Sequence, residues 1–194
     1  TLVVDSKNES TCANQSKFVN PLSSGSSYSS GCLFHGVVFI FERNNSVWTQ
    51  KEILKSPIAQ SNSSAGFGAS NYGYNSSLSV ASDILLVGHS SNETNGNAIQ
   101  NSRITNYASG TVANSGIVYV YRKRNSKWEL ESTVKPNNNY SGIYFGDSIA
   151  TDGVHFAVGA PWEFSAQTTI NNSATTSSDT SESAAGAVYI YSAK

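Results

Sequence analysis

The sequence SGIVYVYRKRNSKW at residues 115–128 decides the fold, because it recurs along the chain. A near copy, HGVVFIFERNNSVW, occupies residues 35–48, and a shortened copy, AGAVYIYSAK, occupies residues 185–194. Val, Ile, Tyr and Phe fit the pleated surface of a strand, and the polar segments ERNNSV and RKRNSK predict tight hairpin turns. Both alternating faces of GIVYVY are apolar, which predicts a sheet covered on both sides.

A short apolar run precedes each aromatic strand. Two of these runs contain Val-Gly, at 83–90 and 154–161, and a related run, TLVVDS, occupies 1–6. Before two of them lies a Phe-Gly segment, at 65–82 and 143–152. We name the corresponding strands the VG strand and the FG strand.

A tryptophan strand follows two of the aromatic strands, at 46–54 and 126–134. The repeating unit is therefore an FG strand, a VG strand, an aromatic strand and a Trp strand, with a period of roughly 70 to 80 residues. The first unit lacks its FG strand and the last lacks its Trp strand, so the two terminal units are each one strand short.

We interpret residues 1–194 as a single repeat domain, with repeat one at 1–55, repeat two at 56–135 and repeat three at 136–194. The predicted fold is all-β, with about three four-stranded units of which the terminal ones are incomplete. Open sheet edges of this kind favour pairing with another chain.

The last repeat contains Phe145-Gly146, then Val158-Gly159-Ala160-Pro161, then Gly186 before its aromatic strand. In this pattern the chain resembles the FG-GAP repeat family, whose best-known members are the blades of the integrin alpha-chain β-propeller. The middle repeat differs, with Gly88-His89-Ser90 where the family has Gly-Ala-Pro. The resemblance implies a β-propeller-like fold of four-stranded blades packed face to face, here about three blades with the terminal ones incomplete. Such folds occur usually in secreted or surface proteins used for adhesion and assembly. Propellers typically close with four to eight blades, so three do not ordinarily form a ring.

Members of this family often bind calcium in an acidic loop after the FG strand, because calcium needs six or more oxygen ligands. The corresponding segments here offer SNYGYNSS and the single Asp152. We therefore predict no metal site and no cofactor. We interpret Asp83 and Asp152 as turn residues whose side chains bond the nearby backbone, and Asp147 as a structural residue.

Composition argues against several classes of function. The formal net charge is −1 and only 13% of residues are charged, which disfavours a nucleic-acid partner. Apolar runs are far shorter than a bilayer span, so we predict no membrane span. The histidines His35, His89 and His155 belong to no spaced nucleophile or metal motif, and a structural role is the preferred interpretation. We assign no catalytic residues and predict no enzyme.

Cys12 and Cys32 are the only cysteines. An even pair within one polar segment predicts a disulfide formed in an oxidising compartment, which would stabilise the fold by roughly 3 kcal/mol. Two reduced, buried thiols are the alternative.

Three long polar loops, at about 6–35, 89–115 and 162–185, are expected to emerge on one face of the repeat array. The third loop is a Ser/Thr tract typical of O-glycosylated or disordered sequence. Composition alone would give roughly five Asn-x-Ser/Thr sequons, and all of those present fall in predicted turns or loops. We predict N-glycosylation at these sequons: Asn8, Asn14, Asn44, Asn62, Asn75, Asn92, Asn139 and Asn171.

The sequence favours a non-enzymatic extracellular structural or adhesive protein, secreted or at the cell surface. We expect it to assemble with copies of itself, head to tail, into a filament or ring, with glycans or surface proteins as further candidate partners. The alternative is a module that binds carbohydrate or a cell-surface protein and is an excerpt of a complete β-propeller. For that alternative, Asn106, Tyr107 and Trp162 are the candidate contact residues.

Overall fold

The structure is a computed structural model, and it describes residues 1–6, 36–57, 66–68, 77–96, 99–100, 112–170 and 179–193. The described residues form strands and contain no helix, which confirms the all-β prediction. In chain order the strands are β1 (Leu2–Ser6), β2 (Val37–Asn44), β3 (Val47–Lys55), β4 (Leu78–Ala81), β5 (Ile84–His89), β6 (Ile99–Gln100), β7 (Ile117–Arg124), β8 (Lys127–Val134), β9 (Ser148–Thr151), β10 (His155–Ala160) and β11 (Ala187–Ser192).

These strands form three antiparallel sheets. The leading sheet has the order β1-β2-β3, the middle sheet β4-β5-β7-β8 with the two-residue β6 beside β8, and the trailing sheet β11-β10-β9. The middle sheet thus pairs the FG, VG, aromatic and Trp strands in chain order. Within the described ranges the leading sheet has no FG strand and the trailing sheet has no Trp strand, and the sheets close into neither a barrel nor a propeller.

The two hairpins that connect an aromatic strand to a Trp strand have the same turn. Asn45 and Ser46 have φ of 46° and 70°, and Asn125 and Ser126 have φ of 49° and 63°. Two successive residues with positive φ are typical of the hairpin turn that matches strand twist, and asparagine tolerates this region better than most residues. The polar segments predicted as tight turns are therefore turns.

The middle sheet is covered on both faces. On one face Leu85, Val87 and Tyr119 lie in a buried cluster shared with the leading sheet. On the other face Leu86 and Val118 lie in a second cluster, shared with the trailing sheet. Side chains alternate across a strand, so the two apolar faces of β5 and β7 pack against different neighbours. This confirms the prediction made from GIVYVY.

No helix in the described part of the chain is long and apolar enough to cross a membrane.

Candidate functional site

The leading and middle sheets are joined by the Phe-Gly turn that precedes β4. The Phe67 ring lies 5.3 Å from the Tyr119 ring and 6.4 Å from the Tyr121 ring, both edge to face. The Phe67 backbone faces the other sheet, because a Cβ atom on Gly36 would lie only 2.7 Å from the Phe67 carbonyl oxygen. Gly36 also has a φ of 66°, so glycine alone fits there. We call this arrangement the first joint.

The second joint, between the middle and trailing sheets, repeats this geometry. The Phe145 ring lies 5.3 Å from the Tyr189 ring and 6.5 Å from the Tyr191 ring. A Cβ atom on Gly116 would lie 1.9 Å from the Phe145 carbonyl oxygen, and Gly116 has a φ of 79°. Such edge-to-face aromatic pairs contribute about 0.5–1.5 kcal/mol each beyond burial. Each phenylalanine therefore binds its own sheet by its ring and the preceding sheet by its backbone.

An aliphatic face meets this aromatic face at each joint. In the first joint the face comes from Val38 and Ile40 of β2, and in the second from Val118 and Val120 of β7; all four are buried. Each aliphatic face belongs to the earlier sheet and each aromatic face to the later one. The joints therefore have a direction along the chain.

Backbone hydrogen bonds hold each Phe-Gly turn to its own VG strand. The Gly68 N–H donates to the Gly88 carbonyl at 2.8 Å, and the Gly146 N–H donates to the Gly159 carbonyl at 3.0 Å. Across the second joint, the Ser77 hydroxyl donates to the carbonyl of Gly146. The Phe-Gly turn of the second joint is therefore held by hydrogen bonds to both sheets that it connects.

The trailing sheet exposes the aliphatic half of a third joint. Val188 and Ile190 of β11 are the equivalents of the buried valines of β7, yet they are 69% and 68% exposed. Gly186 has a positive φ of 74°, as Gly36 and Gly116 also have positive φ; these three glycines, each just before an aromatic strand, are called the leading glycines. The nearest atom to a Cβ on Gly186 would be the Pro161 carbonyl oxygen at 3.4 Å, so no Phe-Gly turn of the described residues occupies this place. We call this surface the trailing face.

The leading sheet presents the aromatic half of a joint. Phe39 and Phe41 of β2 are the equivalents of the tyrosines of β7, and both are partly exposed. They pair in register with Val4 and Leu2 of β1, which are 42% and 45% exposed. These four side chains lie on the same side of the sheet, away from the first joint. We call this surface the leading face.

Ion pairs of the basic segment RKRNSK support the sheets. The Arg122 guanidinium bonds Glu131 at 2.6 and 3.0 Å and Asp83 at 3.0 Å, which ties β7 to β8 and to the β4–β5 turn. Its hydrogen bond to Asp83 lowers the pKa of that carboxyl. Lys123 pairs with Glu42 of the leading sheet. These basic side chains are thus engaged by acids of the same chain, in keeping with their interpretation as a hairpin turn.

The buried Glu52 carboxylate forms a hydrogen bond across the first joint. Both oxygens of Glu52 lie 3.2 Å from the Trp128 backbone nitrogen, which donates to them. Burial raises the pKa of Glu52. Glu52 lies on the Trp strand of the leading sheet and Trp128 on that of the middle sheet. The described part of the trailing sheet has no Trp strand, so the second joint has no equivalent contact.

Lys135 follows the middle Trp strand and is almost completely buried. Its ammonium group donates to the Ser115 hydroxyl at 2.9 Å and to the Gly116 carbonyl at 2.6 Å. Burial lowers the pKa of Lys135 to about 7. A serine beside a neutral lysine is a known route to a nucleophile, but Ser115 is fully buried. The pair therefore supports the backbone of the second joint, and the burial of this lysine was not predicted.

The sequons differ in their exposure. Asn44 is exposed at the end of β2, whereas Asn92 is fully buried and the side-chain amide atoms of Asn139 are buried. N-glycosylation stays a prediction, and exposure favours Asn44 among these three. The remaining predicted positions lie outside the described residues: the sequons Asn8, Asn14, Asn62, Asn75 and Asn171, the pair Cys12 and Cys32, His35, Asn106 and Tyr107.

The buried sequon has a structural counterpart in the next repeat. The Asn92 side-chain oxygen accepts the Thr94 N–H at 3.0 Å, and the Glu163 carboxylate accepts the Ser165 N–H at 3.0 Å. The carbonyls of Asn92 and Glu163 accept the N–H groups of the leading glycines Gly116 and Gly186. Aligning the repeats on the VG-strand glycines Gly88 and Gly159 places Asn92 opposite Glu163, which is the sequence signal that could have identified a turn residue.

Asp152 and His155 lie side by side, with 3.3 Å between Asp152 Oδ2 and His155 Nδ1. The Asp152 carboxylate accepts the N–H groups of Val154 at 2.7 Å and His155 at 2.6 Å, as in the predicted turn, and these bonds lower the pKa of Asp152 to about 2. His155 is exposed and His89 is buried on another sheet. Among the described side chains, no three His, Cys, Asp or Glu residues converge on a metal position. Trp162 is partly exposed.

No family model, curated protein or solved structure matches this chain, so its resemblance to FG-GAP repeats rests on the sequence motifs alone.

Proposed function

We propose that this chain is a non-enzymatic extracellular structural protein, built from FG-GAP-type, β-propeller-like blades, that associates with copies of itself through its leading and trailing faces. One observation carries the proposal. The trailing face presents Val188 and Ile190, which repeat the aliphatic half of both internal joints, and the leading face presents Phe39 and Phe41, which repeat the aromatic half. The two faces are complementary in the way that each pair of neighbouring sheets is.

The two faces are unlike each other, so the contact between copies is head to tail. Such contacts close into a ring only at particular rotations and otherwise propagate as a filament. Burying a Val or Ile side chain contributes roughly 1.5–3 kcal/mol, which opposes an association cost of several kcal/mol. Assembly therefore needs the apolar surface of the whole face, and replacing Val188 and Ile190 with charged residues should prevent it.

The polar loops complete the proposal. They lie between VG and aromatic strands, so their expected place is at the ends of the strands, away from the two faces. Glycans on the predicted sequons within these loops, at Asn8, Asn14 and Asn171, would keep that surface solvated. The extracellular location rests on the predicted disulfide and sequons, and glycans or surface proteins are the further partners of an adhesive role.

The test is a pair of charge substitutions on the trailing face, Val188→Lys with Ile190→Lys. We expect the unaltered chain to form concentration-dependent oligomers in sedimentation velocity, and filaments or rings in electron microscopy. The double variant should remain monomeric, because burying two unpaired ammonium groups in the contact between copies costs more free energy than the contact returns. The matched control is Val47→Lys, an equally exposed valine at the β2–β3 turn, which should assemble normally.

Monodisperse monomers of the unaltered chain at high concentration would overturn the proposal. A native polypeptide that is long enough to supply further repeats, and that is itself monomeric, would favour the alternative of a ligand-binding module within a complete β-propeller.

A further inference from the structure

We infer that the outer edge of β1, together with Phe39 and Phe41, binds an extended segment of another polypeptide that carries a Phe-Gly turn followed by a four-residue strand. This site uses the leading face, as the proposed function does, but it binds a strand at the edge of the sheet and not a second sheet. Among the described residues, no strand pairs with this edge of β1.

The middle sheet supplies the template for the backbone of this site. The Gly88 N–H donates to the Ser77 carbonyl at 2.9 Å, and the Gly88 carbonyl accepts the Gly68 N–H at 2.8 Å, so both groups point toward the FG strand. Asp5 has the position of Gly88 in the leading sheet, because Asp5 pairs with Val38 as Gly88 pairs with Val118. The N–H and carbonyl of Asp5 therefore point toward the outer edge, where an incoming strand would bind them.

The leading face supplies the seat for the phenylalanine ring. In both internal joints a phenylalanine lies edge to face on two aromatic rings of the following sheet, at about the same distances. Phe39 and Phe41 occupy those two positions in β2. The neighbouring side chains of Leu2 and Val4 are exposed and extend the apolar surface. A Phe-Gly turn entering here would bury its ring as Phe67 and Phe145 do.

One position distinguishes the expected occupant from the FG strands of this chain. A Cβ atom on Gly88 would lie 2.1 Å from the Ser77 hydroxyl oxygen, and one on Gly159 would lie 2.2 Å from that of Ser148. At the equivalent place β1 has Asp5, which does carry a Cβ atom. Ser77 directly precedes β4, and Ser148 is the first residue of β9. At the position of these two serines the incoming strand should therefore have glycine. The occupant is a Phe-Gly-x-Gly segment followed by an apolar residue.

The probe is a fluorescent peptide with the sequence of residues 143–152 and the substitution Ser148→Gly. It is titrated by fluorescence polarisation against the 194-residue chain that carries Val188→Lys and Ile190→Lys, so that assembly through the trailing face cannot compete. We expect saturable binding of one peptide per chain. Adding Phe145→Ala to the peptide should weaken binding by at least about tenfold, because the buried ring is lost. Restoring Ser148 should also weaken it.

Two variants of the chain place the peptide on β1. Asp5→Pro removes the N–H that faces the outer edge and fills its place with the proline ring, so binding should be lost. Val4→Lys puts a charge beside the phenylalanine seat and should weaken binding without changing the edge backbone. Far-UV circular dichroism and a cooperative melting transition verify that each variant is folded, and if Asp5→Pro does not fold, Val4→Lys carries the test.

Absence of saturable binding, or binding that is unaffected by Phe145→Ala, would overturn the inference. The inference would also be overturned if the native polypeptide did not bind the peptide while the 194-residue chain did. In that case a segment of the native polypeptide itself would occupy the site beside β1. The inference and the proposed function fail separately: peptide binding is measured in a chain that cannot assemble, and assembly is measured without peptide.

Discussion

Strands β7 and β11 have nearly the same aromatic sequence, IVYVY and AVYIY, in very different surroundings. Val118 and Val120 of β7 are at most 2% exposed, whereas the equivalent Val188 and Ile190 of β11 are 69% and 68% exposed. The tyrosines of both strands pack against the preceding sheet. The difference shows that each strand encodes a sheet with two apolar faces, and that the presence of a following sheet decides whether the second face is buried.

The leading glycines give the largest expected contrast between these two regions. Gly116→Ala would place a methyl group 1.9 Å from the Phe145 carbonyl oxygen at a φ of 79°, so the second joint must open. We expect a loss of roughly 4 kcal/mol in the free energy of unfolding. Gly186→Ala meets nothing closer than 3.4 Å and should cost only the left-handed strain, about 1–2 kcal/mol. Urea unfolding measures both, and equal losses would contradict the joint geometry.

The aliphatic faces give a smaller contrast. Val120→Ala leaves a cavity in the second joint and should lower the free energy of unfolding by roughly 2 kcal/mol. Ile190→Ala removes more atoms than Val120→Ala does, but it removes them from an exposed face. It should therefore change the free energy of unfolding by less than about 0.5 kcal/mol. Both are measured by thermal and urea unfolding at a chain concentration below assembly. A large effect of Ile190→Ala under those conditions would show that this face is covered within one chain.

Lys135 gives the smallest effect, which depends on pH. Its pKa is lowered to about 7 in the folded chain, whereas an unfolded lysine keeps the ordinary value near 10.5. Between these values the unfolded chain binds more protons, so stability rises with pH, by about 1 kcal/mol from pH 7 to pH 8.

Lys135→Met should flatten this part of the pH profile, because the amine that loses its proton is gone. Replacing the exposed Lys51 with Met is the matched control and should leave the slope in place. A slope that survives in Lys135→Met would assign the titration to another group.

Much of the fold is predictable from local sequence. The aromatic and Trp strands, their hairpin turns and the two covered faces of the middle sheet follow from residue types and alternation in GIVYVYRKRNSKW. The FG strands were expected within 65–82 and 143–152, and the structure places four-residue strands at Leu78–Ala81 and Ser148–Thr151. Their shortness was not predictable, because the described Phe-Gly turns, Phe67-Gly68 and Phe145-Gly146, lie outside the strands and connect two sheets.

The candidate site was less predictable, because it depends on neighbours that a strand's own sequence does not reveal. Nothing local distinguishes the exposed Val188 from the buried Val118. Lys135 and Asn92 have the polarity of surface residues. Both are buried beside Gly116, where the Lys135 amine donates to the Gly116 carbonyl and the Asn92 carbonyl accepts the Gly116 N–H. Comparing repeats position by position, and not strand by strand, is what would have indicated these roles.

The direction of the joints also bears on how the chain forms during synthesis. Each Phe-Gly turn places its backbone on a glycine of the sheet that precedes it, so the seat is translated before the group that occupies it. A ribosome delivers the N-terminal repeat first, and domains generally fold in that order. Gly36 is therefore in place when Phe67 emerges, and Gly116 when Phe145 does. Folding can propagate one repeat at a time, with each completed sheet acting as the template for the next.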